Sequence, residues 1–199
     1  YGNARVRRIT PGNIVESLAS GTPDLGNPSG VAVDAAGNLY FADWPSNVVR
    51  RAPPNGASAR IAGVGVRGNS INLGSAIDTP LTSPTGVAVD ADGAVFVADS
   101  GNNRLLKVAS NGSIADFWTS DWANSVTVGL NRSTYFTDAS TLRLAAPSGA
   151  TQIVAGDPFS RVNFGDGGPA LAAGLMSAYG SVTDAAGNIY VATQHQVRR

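Results

Sequence analysis

The chain has 199 residues, 43% of them hydrophobic and 14% charged, so it is long enough to bury one sizeable core. Basic and acidic residues balance at 14 each, which argues against a surface for general nucleic-acid binding. The absence of cysteine excludes disulfides and thiolate metal ligands. No apolar run approaches the roughly 20 residues that a membrane-spanning helix needs, so we expect no membrane insertion.

A short motif recurs along the chain. It reads GVAVDAAGNLYFAD at 30–43, GVAVDADGAVFVAD at 86–99 and GSVTDAAGNIYVAT at 180–193, with a degenerate copy at 125–138. An Asp that opens and a Gly that closes a four-residue stretch indicate a type I turn between two strands. The second strand is apolar on both alternating faces, as in a sheet sandwiched between neighbouring sheets. Such sheets stack around an axis, so the sequence predicts an all-β fold, a β-propeller of four-stranded antiparallel blades.

In chain order, the motif and its flanks predict one propeller domain over residues 1–199. Residues 1–27 begin with YGNARVRRI, which aligns with SGNNRLLKV at 100–108 and predicts the third and fourth strands of a split blade. Residues 28–63, 84–118 and 123–156 each predict one complete blade. Residues 179–199 predict the start of a last blade.

The best-formed copy, residues 83–104, resembles the NHL repeat, with the pattern P-x-G-V-A-V-D-x-x-G-N-L-Y-x-A-D-x-G-N-N-R. The loop GDGGPA at 165–170 resembles the segments that join blades in the same family. The third copy departs most, because Gly129 replaces the turn Asp and Arg132 replaces the turn Gly. The resemblance implies a propeller, commonly of six blades, in a family that includes enzymes, RNA-binding modules and interaction scaffolds.

How the ring closes has two interpretations. About four blades are present, and we expect them to be a segment of a larger, six-bladed ring. In that case the apolar blade ends are covered by the rest of the propeller or by another subunit. A blade face of roughly 300 Å² left in water would lose several kcal/mol of hydrophobic stabilisation, at about 25 cal/mol per Å². The alternative is a closed four-bladed ring, which would duplicate the third strand.

Propeller geometry places the loops between second and third strands on the same rim as the connections between blades. Unusual side chains collect there, and they suit stacking on sugars or anchoring a protein partner. The predicted partner-binding residues are Trp44, Arg67, Trp118, Trp122, Phe159, Arg161, Phe164 and His195. The alternative for the tryptophans is that they fill gaps between blades. The opposite rim carries two N-x-S glycosylation sequons, at Asn111 and Asn131.

No catalytic set, metal site or cofactor site is predicted. The chain has one His and one Glu, whereas a catalytic zinc normally needs three protein ligands. Asp34, Asp90 and Asp184 could ring a metal, but we expect these turn residues to accept backbone N–H groups instead. Asp99 and Arg104 are expected to form an ion pair that braces a loop. The 165–170 loop could cradle an anion, although family architecture is the simpler explanation.

The leading functional hypothesis is a non-catalytic scaffold that binds a protein or glycan through the tryptophan-bearing rim, within a larger extracellular assembly. One alternative is an enzyme of the propeller lactonase or lyase kind whose ligands lie partly outside this segment. A second is an RNA-binding NHL module, although the neutral net charge argues against nucleic acid. Composition and sequons favour an extracellular or periplasmic location. The arginines that the RNA hypothesis would use are Arg5, Arg7, Arg8, Arg50, Arg51, Arg198 and Arg199.

Overall fold

The computed structural model describes residues 5–18, 27–54, 56–70, 74–119, 122–129, 132–146 and 150–199. Within these residues the chain forms antiparallel sheets, each folded from consecutive strands. The helix in this described part of the chain is confined to short 3₁₀ turns, such as Ser100–Asn102 and Ala170–Ala172. The prediction of an all-β propeller is confirmed.

The strands group into four blades and one shorter sheet, which we call the N-terminal pair. The N-terminal pair is β1 (Val6–Ile9) and β2 (Val15–Leu18). Blade 1 is β3 (Pro28–Val33), β4 (Leu39–Asp43), β5 (Val48–Ala52) and β6 (Ala59–Ala62). Blade 2 is β7 (Gly86–Val89), β8 (Val95–Asp99), β9 (Arg104–Val108) and β10 (Ile114–Thr119). Blade 3 is β11 (Ser125–Val128), β12 (Thr134–Thr137), β13 (Leu142–Ala145) and β14 (Thr151–Ala155). Blade 4 is β15 (Gly180–Thr183), β16 (Ile189–Ala192) and β17 (Val197–Arg198).

The turn between the first two strands of a blade is built by its aspartate. Asp34 Oδ1 accepts the backbone N–H groups of Ala36 at 3.0 Å and of Asn38 at 2.8 Å, and its Oδ2 accepts the Tyr40 hydroxyl at 3.1 Å. Asp184 repeats these bonds in blade 4. These bonds confirm the expectation that the turn aspartates accept backbone N–H groups.

The degenerate third copy still makes the turn. Gly37, Gly93 and Gly187 close their turns with φ between +79° and +84°, a conformation that suits glycine. Arg132 takes the same left-handed conformation, with φ of +63°, at the equivalent place in blade 3. Its Nη1 also lies 2.6 Å from Asp92 Oδ2 of blade 2. The substituted turn therefore links two blades at their shared rim.

The core lies between the blades, as the two apolar faces of each second strand require. Tyr40 of blade 1 packs with Val87 and Val97 of blade 2. In the same way Phe96 of blade 2 packs with Phe136 of blade 3. Each blade is thus stabilised mainly by its neighbours.

The first strands β3, β7, β11 and β15 lie innermost, around the axis. A Cβ on Gly30 would lie 2.6 Å from the Thr85 carbonyl oxygen and 2.8 Å from Gly86 Cα, so only glycine lets these two strands approach. A Cβ on Gly180, at the same repeat position in blade 4, would meet nothing within 4 Å. Blade 4 therefore lacks the neighbour that its repeat position accommodates in blade 1.

Candidate functional site

Loops from several blades meet on one face of the propeller, which we call the loop rim. The Gly101 N–H, in the loop between β8 and β9, donates to Thr82 O of the connection from blade 1 to blade 2 at 2.8 Å. In blade 3 the Ser140 hydroxyl donates to Pro158 O of the next connection at 3.4 Å. The second-to-third loops and the blade connections therefore share this rim.

The first long connection does not stay on the loop rim. The Ala76 N–H donates to Gly112 O, in the turn between β9 and β10, at 2.9 Å. That turn belongs to the opposite rim, so the connection reaches the opposite rim at Ala76. Ala76 therefore lies away from the loop rim, whereas Arg67 lies nearer to the loop rim.

Two aromatic side chains on the loop rim are strongly exposed. Phe159 is 90% exposed and Trp122 is 61% exposed. Trp122 has a φ of +64°, and its backbone N–H donates to Asn103 Oδ1 at 3.3 Å. Because Asn103 belongs to blade 2 and Phe159 lies beside Ser140 of blade 3, the two aromatics project from neighbouring blades.

Polar members of the predicted set are also exposed. Arg67, Arg161 and His195 all have exposed side chains. Arg67 lies next to Gly68, whose carbonyl oxygen accepts the Asn102 amide at 2.7 Å, and that bond places it beside the second-to-third loop of blade 2. His195 lies in the corresponding loop of blade 4. Three charged or titratable groups thus accompany the exposed aromatics.

Trp118 differs from Trp122. It lies within β10, where its ring centroid is 4.5 Å from that of Phe136 in blade 3. The Arg143 guanidinium carbon lies over the Trp118 ring, 5.7 Å from its centre, which is a cation–π contact. Trp118 therefore fills the space between blades 2 and 3, which was the alternative set against partner binding.

Trp44 and Phe164 differ in exposure. Trp44 is half-buried, and its indole N–H is buried without an acceptor among the residues that the structure describes. Phe164 forms an isolated bridge with Gly174, and its carbonyl oxygen accepts Arg198 Nη2 at 2.9 Å. The Phe164 side chain is exposed, although less than those of Phe159 and Trp122.

Two arginines clamp the long connections beneath the rim. Arg104 pairs with Asp99 at 2.7 Å and also donates to the carbonyl oxygens of Asn69 and Pro80, at 2.7 and 3.0 Å. The Asp99–Arg104 ion pair expected from the sequence is therefore present, and it is buried. Burial raises the pKa of Asp99, against hydrogen bonds from Asn102, Thr82 and Arg104 that favour the carboxylate.

Arg198 does the same for the second long connection. It pairs with Asp166 at 2.6 Å and donates to Gly174 O at 2.7 Å. Pro169 precedes the single 3₁₀ turn at Ala170–Ala172, as the sequence GDGGPA favours. The connections that carry Arg67 and Phe159 are therefore held by guanidinium groups on the third strands of blades 2 and 4.

A cleft of about 430 Å³ opens between blades 3 and 4, beneath the 165–170 loop. Its walls include Leu142, Leu175 and Val191, and the Asp166–Arg198 pair stands at its edge. A second cavity, of about 560 Å³, lies on the axis between the first strands. The first can enclose an apolar group, whereas the second is lined by the valines and glycines of the first strands and by the polar residues that precede them.

Four residues at the axial cavity were missed by the sequence analysis. The Ser29 hydroxyl donates to Pro84 O, the Thr85 hydroxyl to Asn124 O, and the Asn124 amide to Ala178 O, each reaching the next blade. Tyr179 holds the same position in blade 4, and its side chain is exposed. Each lies immediately before the first residue of a motif copy, and this shared place was the available signal.

The remaining predicted sites are accounted for as follows. Asn111 is exposed, and its Oδ1 accepts the Ser113 N–H at 3.0 Å and hydroxyl at 2.8 Å. Asn131 lies outside the described residues. No group of three His, Asp or Glu side chains that could hold a metal occurs in the described part of the chain. A search of the same residues for helices long and apolar enough to cross a membrane gave none.

The arginines of the RNA hypothesis are partly engaged. Arg8 pairs with Glu16, and Arg198 pairs with Asp166. Arg50 Nε lies 3.7 Å from Asp43 Oδ2. These carboxylates reduce the positive charge that the arginine cluster could offer a phosphate backbone.

Comparison with known families identifies the repeat itself. The model of the NHL repeat matches residues 81–108, which hold the end of the first long connection and strands β7 to β9. The chain carries an NHL repeat. The predicted resemblance is thereby confirmed at this copy, and blade 2 is an NHL blade. A comparison with curated protein sequences gives no significant match.

Solved structures share the fold at low identity. The virginiamycin B lyase of Staphylococcus aureus is 14% identical with a TM-score of 0.65, over 96% of this chain and 56% of the lyase. A streptogramin B lyase is 12% identical with a TM-score of 0.68, over 96% and 55%. A gluconolactonase of Xanthomonas campestris is 14% identical with a TM-score of 0.69, over 96% and 63%. The structures similar to this chain thus include enzymes, and the chain spans less than two thirds of each of the three.

Proposed function

We propose that this NHL chain is a non-catalytic interaction scaffold that binds a protein or glycan partner through the loop rim. The observation that carries the proposal is the exposure of Phe159 and Trp122 on loops of neighbouring blades. Large aromatic side chains dominate the energy of protein interfaces and also stack on sugar rings. A soluble protein gains nothing from holding two such rings in water unless a partner covers them.

The loops that present these rings are fixed before binding. Arg104 and Arg198 tie the two long connections to their blades through backbone carbonyl oxygens. Trp122 is held by Asn103. A pre-organised surface loses little conformational entropy when a partner docks, which favours recognition by the rim.

Charged and titratable groups would give the rim its specificity. Arg67, Arg161 and His195 are exposed beside the aromatics, so a partner with acceptor or acidic groups suits the surface. We further propose an extracellular or periplasmic setting, where the Asn111 sequon on the opposite rim would leave the loop rim unobstructed.

Binding of the full chain to a printed glycan array and to a phage-displayed peptide library tests the proposal. A double variant with Trp122→Ala and Phe159→Ala should weaken every interaction at least about tenfold. Leu171→Ala is the matched control, because Leu171 is also an exposed apolar residue but belongs to the 3₁₀ turn of the GDGGPA loop. Retention of all interactions by the double variant, or loss by the control alone, would contradict the proposal.

A lactonase or lyase activity is the second candidate, and the axial cavity is the observation that favours it. Tyr179 is exposed there, whereas Ser29, Thr85 and Asn124 are engaged with the next blade. If the chain is an enzyme, lactone hydrolysis by the wild type should be lost in Tyr179→Phe. Turnover unaffected by this change would remove Tyr179 from the candidate site.

A further inference from the structure

The interface between blades 2 and 3 is closed by an aromatic side chain from an outer strand. Phe117 is the extra residue of a β-bulge in β10, since the register with β9 shifts between Asp116 and Trp118. Its ring meets the Phe96 ring edge-on, with the two centroids 5.0 Å apart, and packs against the cluster that joins the two blades. The bulge thus delivers a ring into the space between these blades.

The interface between blades 1 and 2 uses the same positions with different side chains. The bulge of β6 lies at Ile61, so Ile61 takes the place of Phe117. Tyr40 takes the place of Phe96, because each is the second residue of the second strand of its blade. The aromatic ring that closes the interface of blades 2 and 3 is therefore replaced here by a smaller aliphatic side chain.

A groove of about 500 Å³ opens at this place, on the rim opposite the loop rim. Its apolar wall includes Tyr40 of blade 1 and Val95 and Val108 of blade 2, and all three side chains are buried. Ile77, which is 43% exposed, borders the groove from the first long connection. Both blades have their four strands in the described part of the chain, so the groove lies between two complete sheets. Its volume is within the range of small-molecule sites.

Two arginines give the groove a positive wall. Arg51 and Arg60 both line it, and their side chains are exposed. Neither guanidinium is within ion-pair distance of a carboxylate in the part of the chain that the structure describes. Arg60 stands just before the bulge, where blade 2 has Asp116, so the charge at this repeat position is reversed beside the groove. Asp34 also lines the groove, but hydrogen bonds from its own turn and from Tyr40 hold both of its carboxylate oxygens.

We propose that this groove binds a small aromatic carboxylate. The ring of the ligand would lie against Tyr40 as Phe117 lies against Phe96. The carboxylate would pair with Arg51 and Arg60, because the parallel N–H groups of a guanidinium match the two oxygens of a carboxylate. The Arg51 guanidinium carbon lies over the Tyr40 ring, 6.0 Å from its centre, so the aromatic surface and the positive charge are close together. Binding here is separate from recognition by the loop rim, because the groove opens on the opposite rim.

Titration of the isotope-labelled full chain with phenylpropionate, followed by NMR, tests the proposal. The backbone amide signals of Ile61 and Val108 should shift and saturate at millimolar concentrations, as expected for a ligand of this size. Phenylpropionamide, which has the same ring without the charge, should bind at least about fivefold more weakly. Arg60→Gln should weaken phenylpropionate binding to the same extent, whereas Arg7→Gln, at an exposed arginine of β1, should leave the affinity within about twofold.

Ile61→Phe tests the geometry directly, because it gives β6 the bulge residue of β10. The new ring should fill the groove and remove phenylpropionate binding, and thermal unfolding shows whether this variant is folded. Arg60→Gln changes an exposed side chain, so it decides the matter even if Ile61→Phe does not fold. The proposal is overturned if Ile61 and Val108 show no saturable shift, if the acid and the amide bind equally, or if Arg7→Gln weakens binding as much as Arg60→Gln. Binding that a folded Ile61→Phe retains would overturn it as well.

Discussion

Replacing Gly30 by alanine should destabilise the propeller far more than the same change at Gly180. Both glycines open the first strand of a blade, at the same place in the repeat. At Gly30 the new methyl group would lie 2.6 Å from Thr85 O and 2.8 Å from Gly86 Cα, so two backbones must separate. Overpacking of this kind costs about 1–3 kcal/mol. At Gly180 the methyl group meets nothing within 4 Å, and the lower entropy of the unfolded chain should add about 0.4–1 kcal/mol of stability.

Thermal unfolding of the two variants measures this difference. About 1.5–4 kcal/mol between them corresponds to a gap in Tm on the order of 5–10 °C for a chain of this length. Because the chemical change is identical, effects of alanine on the local strand cancel in the comparison. Equal melting temperatures would refute the close approach of β3 and β7. Destabilisation by Gly180→Ala would instead show that another strand lies against blade 4 in solution.

Two further predictions concern charged groups. Arg104→Leu should lower the free energy of unfolding in urea by about 3–5 kcal/mol, because Asp99 would be left buried without a counter-charge. Arg8→Leu removes an exposed pair with Glu16 and should lower it by less than about 1 kcal/mol. A similar cost for both would contradict the burial argument. Hydrogen bonds led by that from the Asn188 side chain lower the pKa of Asp184, so the stability it contributes is present above the ordinary value of 3.8 and is lost as the pH falls below it. Asp184→Asn should therefore be less stable than the wild type at neutral pH, and the gap should narrow in acid; a gap independent of pH would refute this.

Most of the fold could be predicted from the repeat, because the repeat residues act locally. Residues such as Asp34 and Gly37 fix a turn by local bonds and local φ, so their spacing can be read without knowing what lies around them. The apolar residues on both faces of β4 likewise demanded neighbours on two sides. Arg132 shows the limit, because a non-glycine residue holds the left-handed turn with help from Asp92 in another blade.

The candidate site was predicted less completely because exposure is a tertiary property. Trp118 and Trp122 are four residues apart and chemically identical, yet one packs against Phe136 and the other projects into water. Nothing local distinguishes them: Phe136 reaches Trp118 from the next blade. Phe159 lies in a connection that Arg198 anchors from a strand far along the chain, at Phe164 and Gly174.

The hydrogen bonds around the axis all run the same way, from Ser29 towards Ala178. Each donor belongs to one repeat and each acceptor to its successor, so the hub has a polarity that a ring of unconnected sheets would lack. An engineer who splices an extra repeat into this protein must therefore cut where both the outgoing donor and the incoming carbonyl are kept. Because every acceptor is a main-chain carbonyl oxygen, reordered repeats keep these links only where each repeat brings its own donor side chain just before its motif.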